Sequence, residues 1–422
     1  MALALILISL SLCYFSPGEV FPTLAPYHIQ QVILLTATVA SLPGLVMRGG
    51  KLPSPHYILM MGLWFAVVVS LLSHLQIRGS FDAFLEFGLI AIVYFLVVIN
   101  AFTPSRVRIM CATIVACALA MSIQGMLAYH YGYLDEQLLH VSLDGATVVK
   151  RIRAFGILND ANDLAQFLLM ALAMLGVFWK RGHVLGNIAK LTIPAGILIY
   201  AIYLTGSRGA MVGLTVIVFV LASIRLGKVK SAMLAGVMFV LMALGNFGGG
   251  RNISLSESSA GGRVVAWGAG ISFLRSSPLF GLGYSQFAEV NALTAHNSFV
   301  LCFAELGFFG YFFWLALVVA AILGLQRLAN APLKTPADYE LRRCVTTMRT
   351  AFYCFLATSW FLSRTYNITL YVLLALAAAL IHYHHELNPA AEPTTKRWAV
   401  VTVAAQVASI AVIYATIRAR SF

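Results

Sequence analysis

Long apolar runs, separated by short polar segments, constrain this chain more than any other feature of its sequence. Only 10% of the residues are charged and 60% are hydrophobic, whereas a soluble globular protein carries about 25% charged residues. The sequence therefore predicts a polytopic membrane protein. The candidate spans lie at about residues 2–15, 28–47, 56–77, 82–101, 107–129, 162–179, 186–204, 209–224, 231–247, 298–324, 348–363, 368–382 and 398–416.

Most of these runs have the length and the uniform apolar character of spanning helices. A helix needs about 20 apolar residues to cross a bilayer, whereas the strands of a membrane barrel alternate apolar and polar residues over about ten positions. The predicted fold is an all-α polytopic membrane protein with about 12–13 transmembrane helices. The loops that remain are too short for a separate soluble domain of ordinary size.

The distribution of basic residues predicts the orientation of the helices. The chain has 28 basic and 15 acidic residues, but the basic ones are dispersed among apolar runs, so no nucleic-acid-binding face is indicated. Basic residues in short loops mark the cytoplasmic side. The loops at residues 48–51, 106–108, 180–190, 225–230, 327–349 and 396–397 all fall on one side, which is predicted to be cytoplasmic. Arg418 and Arg420 then lie outward if the last run spans.

Two outward loops are longer than a hairpin connection and divide the chain. The second of them regains a helical pattern after Gly262 and is interrupted at Pro278, which predicts a short amphipathic helix on the membrane surface behind a Gly- and Ser-rich lead. Long loops on a compact scaffold commonly carry function. The predicted order is helices, loop, helices, loop and helices, at residues 1–129, 130–161, 162–247, 248–297 and 298–422.

One short outward turn carries Ser207 and Arg208 between Gly206 and Gly209. The glycines let backbone N–H groups approach an anion at the start of the next helix, and a guanidinium group offers a planar fork that suits phosphate oxygens. The alternative is a tight turn whose arginine reaches lipid headgroups.

Three basic residues, Lys150, Arg151 and Arg153, end the first outward loop directly before a span. Basic residues are disfavoured on this side unless something anionic offsets them, so Arg153 is a candidate anion contact. Asp160 and Asp163 follow, and the simpler interpretation is that they cap the next helix and complement its dipole. Two carboxylates at this spacing are weak support for a metal site, and the six cysteines show no zinc-ligand spacing.

The second loop and the span after it hold the other candidates. Arg263 opens the amphipathic helix one turn before Trp267 and is able to contact either a ligand or lipid headgroups. His296 lies at the outward mouth of a span, where an imidazole can accept a proton near neutral pH, although an interfacial histidine is often inert. Ser298 and Glu305 share one helix face, with Glu305 about 10 Å into the span, and an intramembrane carboxylate indicates either function or structural pairing.

These motifs occur in a fixed order over residues 150–310 and are separated by spans. In that order they resemble the O-antigen ligase and O-antigen polymerase superfamily. The residues that carry the resemblance are Arg153-x-x-Gly156 with Asn159 and Asn162, Gly206-Ser207-Arg208-Gly209, Gly262-Arg263 with Trp267, Pro278-x-x-Gly281-x-Gly283, His296-Asn297-Ser298 and Glu305-x-Gly307. The sequence departs from the superfamily's Pro-Asn pattern at residues 160–163, which leaves Asp160 and Asp163 without a role.

The resemblance implies a multi-pass glycosyltransferase of the bacterial inner membrane whose active site faces the periplasm. The donor would be a glycan linked to undecaprenyl diphosphate, and the acceptor a second glycan or the lipid A core. His296 would be the general base, Arg208, Arg263 and Arg153 would hold the diphosphate, and transfer would invert the anomeric centre without a metal or other cofactor. Supporting roles are implied for Ser207, Asn297, Ser298 and Glu305, and Arg364, in a late outward turn, is either a further anion contact or an interface anchor.

The acceptor and the class of protein stay open at this point. A polymerase is preferred, because the loop before His296 has only about 50 residues, which is small for docking a lipid A core. A ligase acting on that core and a protein O-oligosaccharyltransferase are the alternatives within the superfamily. A small-anion transporter would instead place its charges near the midplane on broken helices, often with repeat symmetry. A purely structural scaffold would leave the outward arginines and Glu305 unexplained.

Overall fold

The predicted all-α class is confirmed by a computed structural model, which describes every residue except 48, 145–146, 246, 249–257, 334, 389–396 and 421–422. The Gly- and Ser-rich lead at 249–257 and the basic residues Arg48 and Lys396 are therefore outside the described residues. The helices are α1 (Ala2–Phe15), α2 (Pro17–Val20), α3 (Ile29–Met47), α4 (His56–Leu72), α5 (Ile77–Asn100), α6 (Pro104–Tyr131), α7 (Asp135–Leu138), α8 (Ala161–Met174), α9 (Val184–Leu204), α10 (Arg208–Leu244), α11 (Ser258–Ser276), α12 (Phe287–Val290), α13 (Ser298–Asn330), α14 (Pro336–Ser359), α15 (Ile368–Leu387) and α16 (Arg397–Arg420).

The predicted apolar runs coincide with helices. Within the described ranges, nine helices are long and apolar enough to cross a membrane, and α1 and α4 are shorter apolar helices. The runs at 209–224 and 231–247 form the two halves of α10, which is broken at Gly227 with φ 74° and ψ 168°. The ring centres of Phe247, after the end of α10, and Tyr203, at the end of α9, are 5.5 Å apart. The chain therefore reverses direction at Gly227, and the second half of α10 returns to the end at which the first half begins. The total of 12–13 spans stays a prediction.

A two-stranded hairpin in the first outward loop was not predicted. Strands β1 (Leu139–Asp144) and β2 (Thr147–Ile152) pair antiparallel, with Leu139 opposite Ile152 and Asp144 opposite Thr147. Ile152 is fully buried and contacts α6, so the hairpin is anchored on a helix instead of projecting freely. Arg151, one of the three basic residues of this loop, is thereby part of a strand.

The chain divides into two compact units, each drawn from three stretches. The first comprises Met1–Gly50, Ile99–Asn252 and Ala331–Thr358, and in it α6, α8 and α9 contact one another while α10 packs on α8. The second comprises Lys51–Val98, Ile253–Asn330 and Ser359–Phe422, and its central helix α13 contacts α4, α11, α15 and α16. Arg153, Ser207 and Arg208 thus belong to the first unit, and the remaining candidates to the second.

Basic loops that were predicted to share one side meet at one end of the first unit. Arg108 forms an ion pair with Glu340, and Arg343 donates a hydrogen bond to the carbonyl of Trp179 at 3.2 Å. The guanidinium of Arg181 lies 5.2 Å from the ring centre of Tyr339. The loops at 106–108 and 180–190 therefore meet residues 339–343 in this unit, as the charge distribution predicts.

The predicted helix of the second outward loop is present as α11, and it stops at Ser276, directly before the predicted end. Its buried residues Ala266, Trp267, Ile271 and Leu274 form one side, and the helix contacts α13 and α16. The last helix, α16, ends beside α11, because the ring of Tyr414 lies 5.8 Å from the guanidinium of Arg275. Within the second unit, Arg418 therefore lies at the α11 end, which is the predicted outward end.

Candidate active site

Arg208 opens α10 directly after a buried turn. Thr205 and Ser207 are almost fully buried, and Gly206 turns the chain with φ 57°. Ser207 is the N-cap residue of α10, which places Arg208 in the first helical turn, at the end of the helix where the dipole favours an anion. Gly248, at the start of the second loop, lies against the stem of Arg208, since a Cβ at Gly248 would be 3.0 Å from the Arg208 Cγ. The side chain of Arg208 is half-buried.

Arg151 holds this turn through a hydrogen bond, although the sequence did not mark it as a candidate site residue. Its guanidinium is only 8% exposed, and its Nε donates to the carbonyl oxygen of Thr205 at 2.7 Å. Its Nη2 donates to Oδ1 of Asn162 at 3.0 Å. One buried arginine therefore ties the hairpin to the turn before Arg208 and to the first turn of α8.

Arg153, the basic residue that was selected, has a different environment. Its Nε donates to the carbonyl of Gln137 at 3.0 Å and its Nη2 to the carbonyl of Glu136 at 3.1 Å. Both carbonyls belong to α7, so these hydrogen bonds hold the short helix against the chain after β2. The diphosphate role implied for Arg153 stays a prediction, and it requires these contacts to be shared or exchanged.

The acidic residues that follow have the simpler role that the sequence favours. Asp160 is the N-cap residue of α8, and its Oδ1 accepts a hydrogen bond from the N–H of Asn162 at 2.8 Å. Asp163 lies in the first helical turn and is buried. A carboxylate at these positions complements the positive end of the helix dipole.

His296 is held at the mouth of α13 by fully buried neighbours. The carbonyl of Ala295 accepts a hydrogen bond from the Trp267 indole at 3.0 Å. Asn297 caps α13, because its Oδ1 accepts from the N–H groups of Phe299 and Val300 at 2.9 and 3.1 Å. His296 lies between them with φ 47°, a backbone conformation that is uncommon for residues other than glycine, and its imidazole is only half-buried.

Ser298 connects the start of α13 to the late turn that contains Arg364. The Ser298 hydroxyl donates to the carbonyl of Leu362 at 2.6 Å and accepts from the N–H of Arg364 at 2.8 Å. The carbonyl of Ser298 accepts from the Thr365 hydroxyl at 2.7 Å. The start of α13, two residues after His296, is therefore bonded to the turn that contains Arg364, and the site roles of these residues stay predictions.

The start of α11 lies against the segment that precedes His296. A Cβ at Gly262 would be 3.1 Å from Cδ1 of Leu293, and Trp267 contacts Ala295 through its hydrogen bond. Arg263 and Trp267 are four residues apart and therefore face the same way. Arg263 is half-buried, and it lies on the helix whose Trp267 bonds to the residue before His296.

Glu305 is 2% exposed, and its carboxylate bonds to a backbone group. Its Oε1 accepts from the N–H of Phe287 at 3.0 Å, and the hydroxyl of Tyr366 lies beside it. Desolvation, and then the charge of Glu305, holds the pKa of Tyr366 well above its usual value, so the phenol stays protonated.

A break in α13 explains why glycine occupies positions 281 and 307, which the sequence marks only as parts of motifs. Gly307 has φ 61° and ψ −165°, and Gly281 has φ 72°. A Cβ on either glycine would collide with backbone of the other segment. The two segments exchange four hydrogen bonds, from Leu282 N–H to Ala304 O at 2.8 Å, Gly283 N–H to Glu305 O at 2.9 Å, Phe308 N–H to Pro278 O at 2.8 Å and Phe309 N–H to Leu279 O at 3.1 Å.

Residues 193–315 match the family model of O-antigen ligase. The match confirms the resemblance to the O-antigen ligase and polymerase superfamily, and it supports glycan transfer of that general type. No curated protein matches the chain.

The O-antigen ligase segment, residues 193–315, contains part of the predicted site. Arg208, Arg263, His296 and Glu305 lie inside it, whereas Arg153 and Arg364 lie outside. The segment extends from α9 into the second half of α13 and includes the break at Gly307. The motif glycines Gly281 and Gly307 are therefore required in this chain because the backbones of their two segments are in close contact.

Two further residues of α4 and the segment after it position the loop before His296. Nε2 of His74 lies 2.8 Å from the carbonyl oxygen of Gly281, and the Ser70 hydroxyl accepts from the N–H of Tyr284 at 3.0 Å. Burial raises the pKa of Tyr284, and the charges of Glu86 and Glu305 raise it further, so this phenol is neutral as well. No pattern in the sequence marks His74 or Ser70, since both act on backbone groups more than 200 positions away.

The described ranges contain no group of three or more His, Cys, Asp or Glu side chains placed to hold a metal ion. The six cysteines are buried free thiols. Metal independence of the reaction stays a prediction.

Replacing Arg151 with methionine is expected to lower the stability of the first unit by about 1–3 kcal/mol, because the Thr205 carbonyl and the Asn162 side chain lose their buried donor. Thermal unfolding in detergent measures the effect. Arg153→Met is the matched control, since Arg153 is more exposed and bonds only to carbonyls of α7, and it should unfold close to the wild type. Equal stability of the two variants would contradict the supporting role of Arg151.

Proposed function

We propose that the protein is an inverting, metal-independent glycosyltransferase of cell-surface polysaccharide assembly. It would take a glycan from an undecaprenyl-diphosphate-linked donor at the periplasmic face of the bacterial inner membrane and transfer it to an acceptor hydroxyl. The coarser activity rests on the O-antigen ligase segment, and the residue roles rest on the resemblance read position by position.

The observation that carries the proposal is the presentation of His296. Its two neighbours are fully buried and hydrogen-bonded, yet its own imidazole remains partly accessible on a strained backbone turn at the end of a span. Strained backbone at φ above zero costs about 1–3 kcal/mol and is concentrated at functional sites. The combination of this turn with a partly accessible imidazole supports the role of a base for His296.

The proposed chemistry needs one base and one anion-stabilising group. The His296 imidazole takes the proton of the acceptor hydroxyl as its oxygen attacks the anomeric carbon. The bond from that carbon to the diphosphate oxygen breaks at the same time, and the electron pair leaves with the lipid diphosphate. Guanidinium groups of Arg208 and Arg263 stabilise the charge that develops on this leaving group, and fixed charges in a partly dry site are worth more in the transition state than in water.

A polymerase is the preferred form of this activity. The folded part of the loop before His296 is committed to its own unit, because Trp267, Ile271 and Phe287 are buried and the Pro278–Gly283 segment is bonded to α13. The loop before His296 has only about 50 residues, and part of it is used for packing within its own unit, which favours a glycan acceptor over a bulky lipid A core.

Replacing Arg208 with alanine is expected to slow transfer about 10²–10³-fold, corresponding to about 2.7–4 kcal/mol of lost transition-state stabilisation. Arg208→Lys should restore only part of the rate, because an ammonium group lacks the planar fork that bonds two phosphate oxygens. Steady-state transfer to an excess of acceptor measures both. Arg78→Gln, which removes an exposed arginine of α5, is the control and should keep the wild-type rate. A rate for Arg208→Ala within about threefold of wild type would contradict the diphosphate role.

The experiment that tests the proposed function uses purified protein in lipid with undecaprenyl-diphosphate-linked repeat units and a chelator, with products separated by size. A ladder of repeats formed by the wild type and lost in Arg208→Ala supports a metal-independent polymerase. Product formed only after addition of lipid A core or a protein acceptor overturns the polymerase preference and assigns a ligase or an oligosaccharyltransferase. No product with any acceptor overturns glycan transfer, and flux of small anions into vesicles would then be measured.

A further inference from the structure

Two arginines from distant parts of the chain converge on one tyrosine in the second unit. Arg418, near the end of α16, donates from Nε to the Tyr414 hydroxyl at 3.1 Å, and its guanidinium carbon lies 5.5 Å from the ring centre. Arg275, at the end of α11, places its guanidinium carbon 5.8 Å from the same ring centre. All three side chains are exposed.

In the described part of the second unit, no acidic side chain offsets these two charges. Neither Arg275 nor Arg418 forms an ion pair with Asp or Glu within the described residues. Two guanidinium groups held around one phenol repel each other, and they lie on the predicted outward side, where basic residues are disfavoured. An external anion between them would offset the repulsion, and a phosphate group has the oxygens to bond both forks.

An exposed apolar stripe leads along α16 to this pair. Val400, Val403 and Val407 are each more than half exposed, and they stand on the same face as Tyr414 and Arg418, at positions i, i+3, i+7, i+14 and i+18. Another face of α16 is committed to the second unit, where Gln406 bonds to the carbonyl of Phe308.

The outer part of the stripe fits one bilayer leaflet. From Val403 to Tyr414 the helix rises about 16.5 Å at 1.5 Å per residue. The hydrocarbon core of a bilayer is about 30 Å thick, so one leaflet supplies about 15 Å of acyl chain. An acyl chain lying against Val403 and Val407 would therefore bring a phosphate to the level of Arg275 and Arg418.

We propose that this face of α16, together with Arg275, binds a membrane phospholipid with an anionic headgroup. Charge complementarity decides between headgroups, because the ammonium of a zwitterionic lipid would be repelled by the arginine pair, whereas an anionic phosphodiester is attracted by both. The site is separate from the proposed diphosphate contacts, since Arg275 lies twelve residues, or about 18 Å of helix, beyond Arg263.

The test is lipid binding by native mass spectrometry in detergent, with phosphatidylglycerol and phosphatidylcholine as probes. Wild type should bind phosphatidylglycerol more tightly than phosphatidylcholine. Arg275→Gln/Arg418→Gln should bind phosphatidylglycerol about thirty-fold more weakly and each single variant about five-fold, since an arginine near an anionic lipid surface contributes about 1 kcal/mol. Arg78→Gln, which removes an exposed arginine without such a partner, should match wild type.

The outcomes are separable even if the double variant folds poorly. Val407→Gln leaves both arginines in place and should weaken both lipids alike, because it disrupts only the acyl stripe. Unchanged headgroup preference in both single variants overturns the proposal. So does displacement of phosphatidylglycerol by inorganic phosphate at millimolar concentration, which would indicate a site for a soluble anion. A concentration-dependent dimer that Val407→Gln abolishes would assign the face to a second copy and also overturn the proposal.

Discussion

A His296→Ala variant is expected to transfer glycan about 10²–10⁴-fold more slowly than wild type, with the affinity for the lipid-linked donor unchanged. The loss falls on turnover, because the proposed base acts on the acceptor hydroxyl and not on the diphosphate. His296→Gln should be equally slow, since an amide fills the space but cannot take the proton.

Single-turnover transfer and donor binding, measured on the same preparation, separate the two effects. His183→Ala removes an exposed histidine at the start of α9 and should have wild-type kinetics. Retention of transfer within about tenfold of wild type in His296→Ala would show that another group, or water alone, accepts the proton. A loss of donor binding as large as the loss of turnover would instead indicate that His296 supports the donor site.

Features that depend on local spacing could be predicted from the sequence. The apolar runs give the helices, because burial in a bilayer needs only length and uniform apolarity. Asp160 follows the helix-cap rule, and the basic loops near Arg108 and Arg343 meet as the charge distribution requires. The hairpin also had a local signal, because Gly145 interrupts a stretch that contains the β-branched residues Val141, Thr147, Val148 and Val149.

Features that depend on distant backbone groups could not be predicted. Arg151 and Arg153 are equivalent in the sequence, and only the placement of the turn before α10 selects Arg151 as the buried one. The partner of Glu305 is the N–H of Phe287, a group that every residue except proline offers and that leaves no mark in the sequence. A buried carboxylate suggests an arginine partner, whereas a bond to a backbone N–H cannot be recognised from residue types.

The break in α13 has the second large predicted effect. Gly307→Ala is expected to destabilise the second unit strongly, since φ 61° with ψ −165° belongs to a region essentially restricted to glycine and costs about 1–3 kcal/mol for other residues. The added Cβ would also collide with the carbonyl of Leu279. Each of the four hydrogen bonds between the segments that this collision breaks costs about 0.5–1.5 kcal/mol more. Thermal unfolding measures the loss.

Gly268→Ala is the matched control, because Gly268 lies within α11 with nothing within 4 Å of its Cβ position, and it should unfold at the wild-type temperature or slightly above.

Gly281→Ala disrupts the same contact from the other segment, since its Cβ would meet the backbone of Glu305. Two substitutions that disrupt one contact cannot each remove it, so the double variant should lose less stability than the sum of the single losses. Full additivity would mean that the segments are held independently and that the two glycines do not form one joint. The contact between the two segments includes the carbonyl of Glu305 and begins the loop that leads to His296. Transfer activity should therefore fall in proportion to the fraction of protein molecules in which this contact is broken.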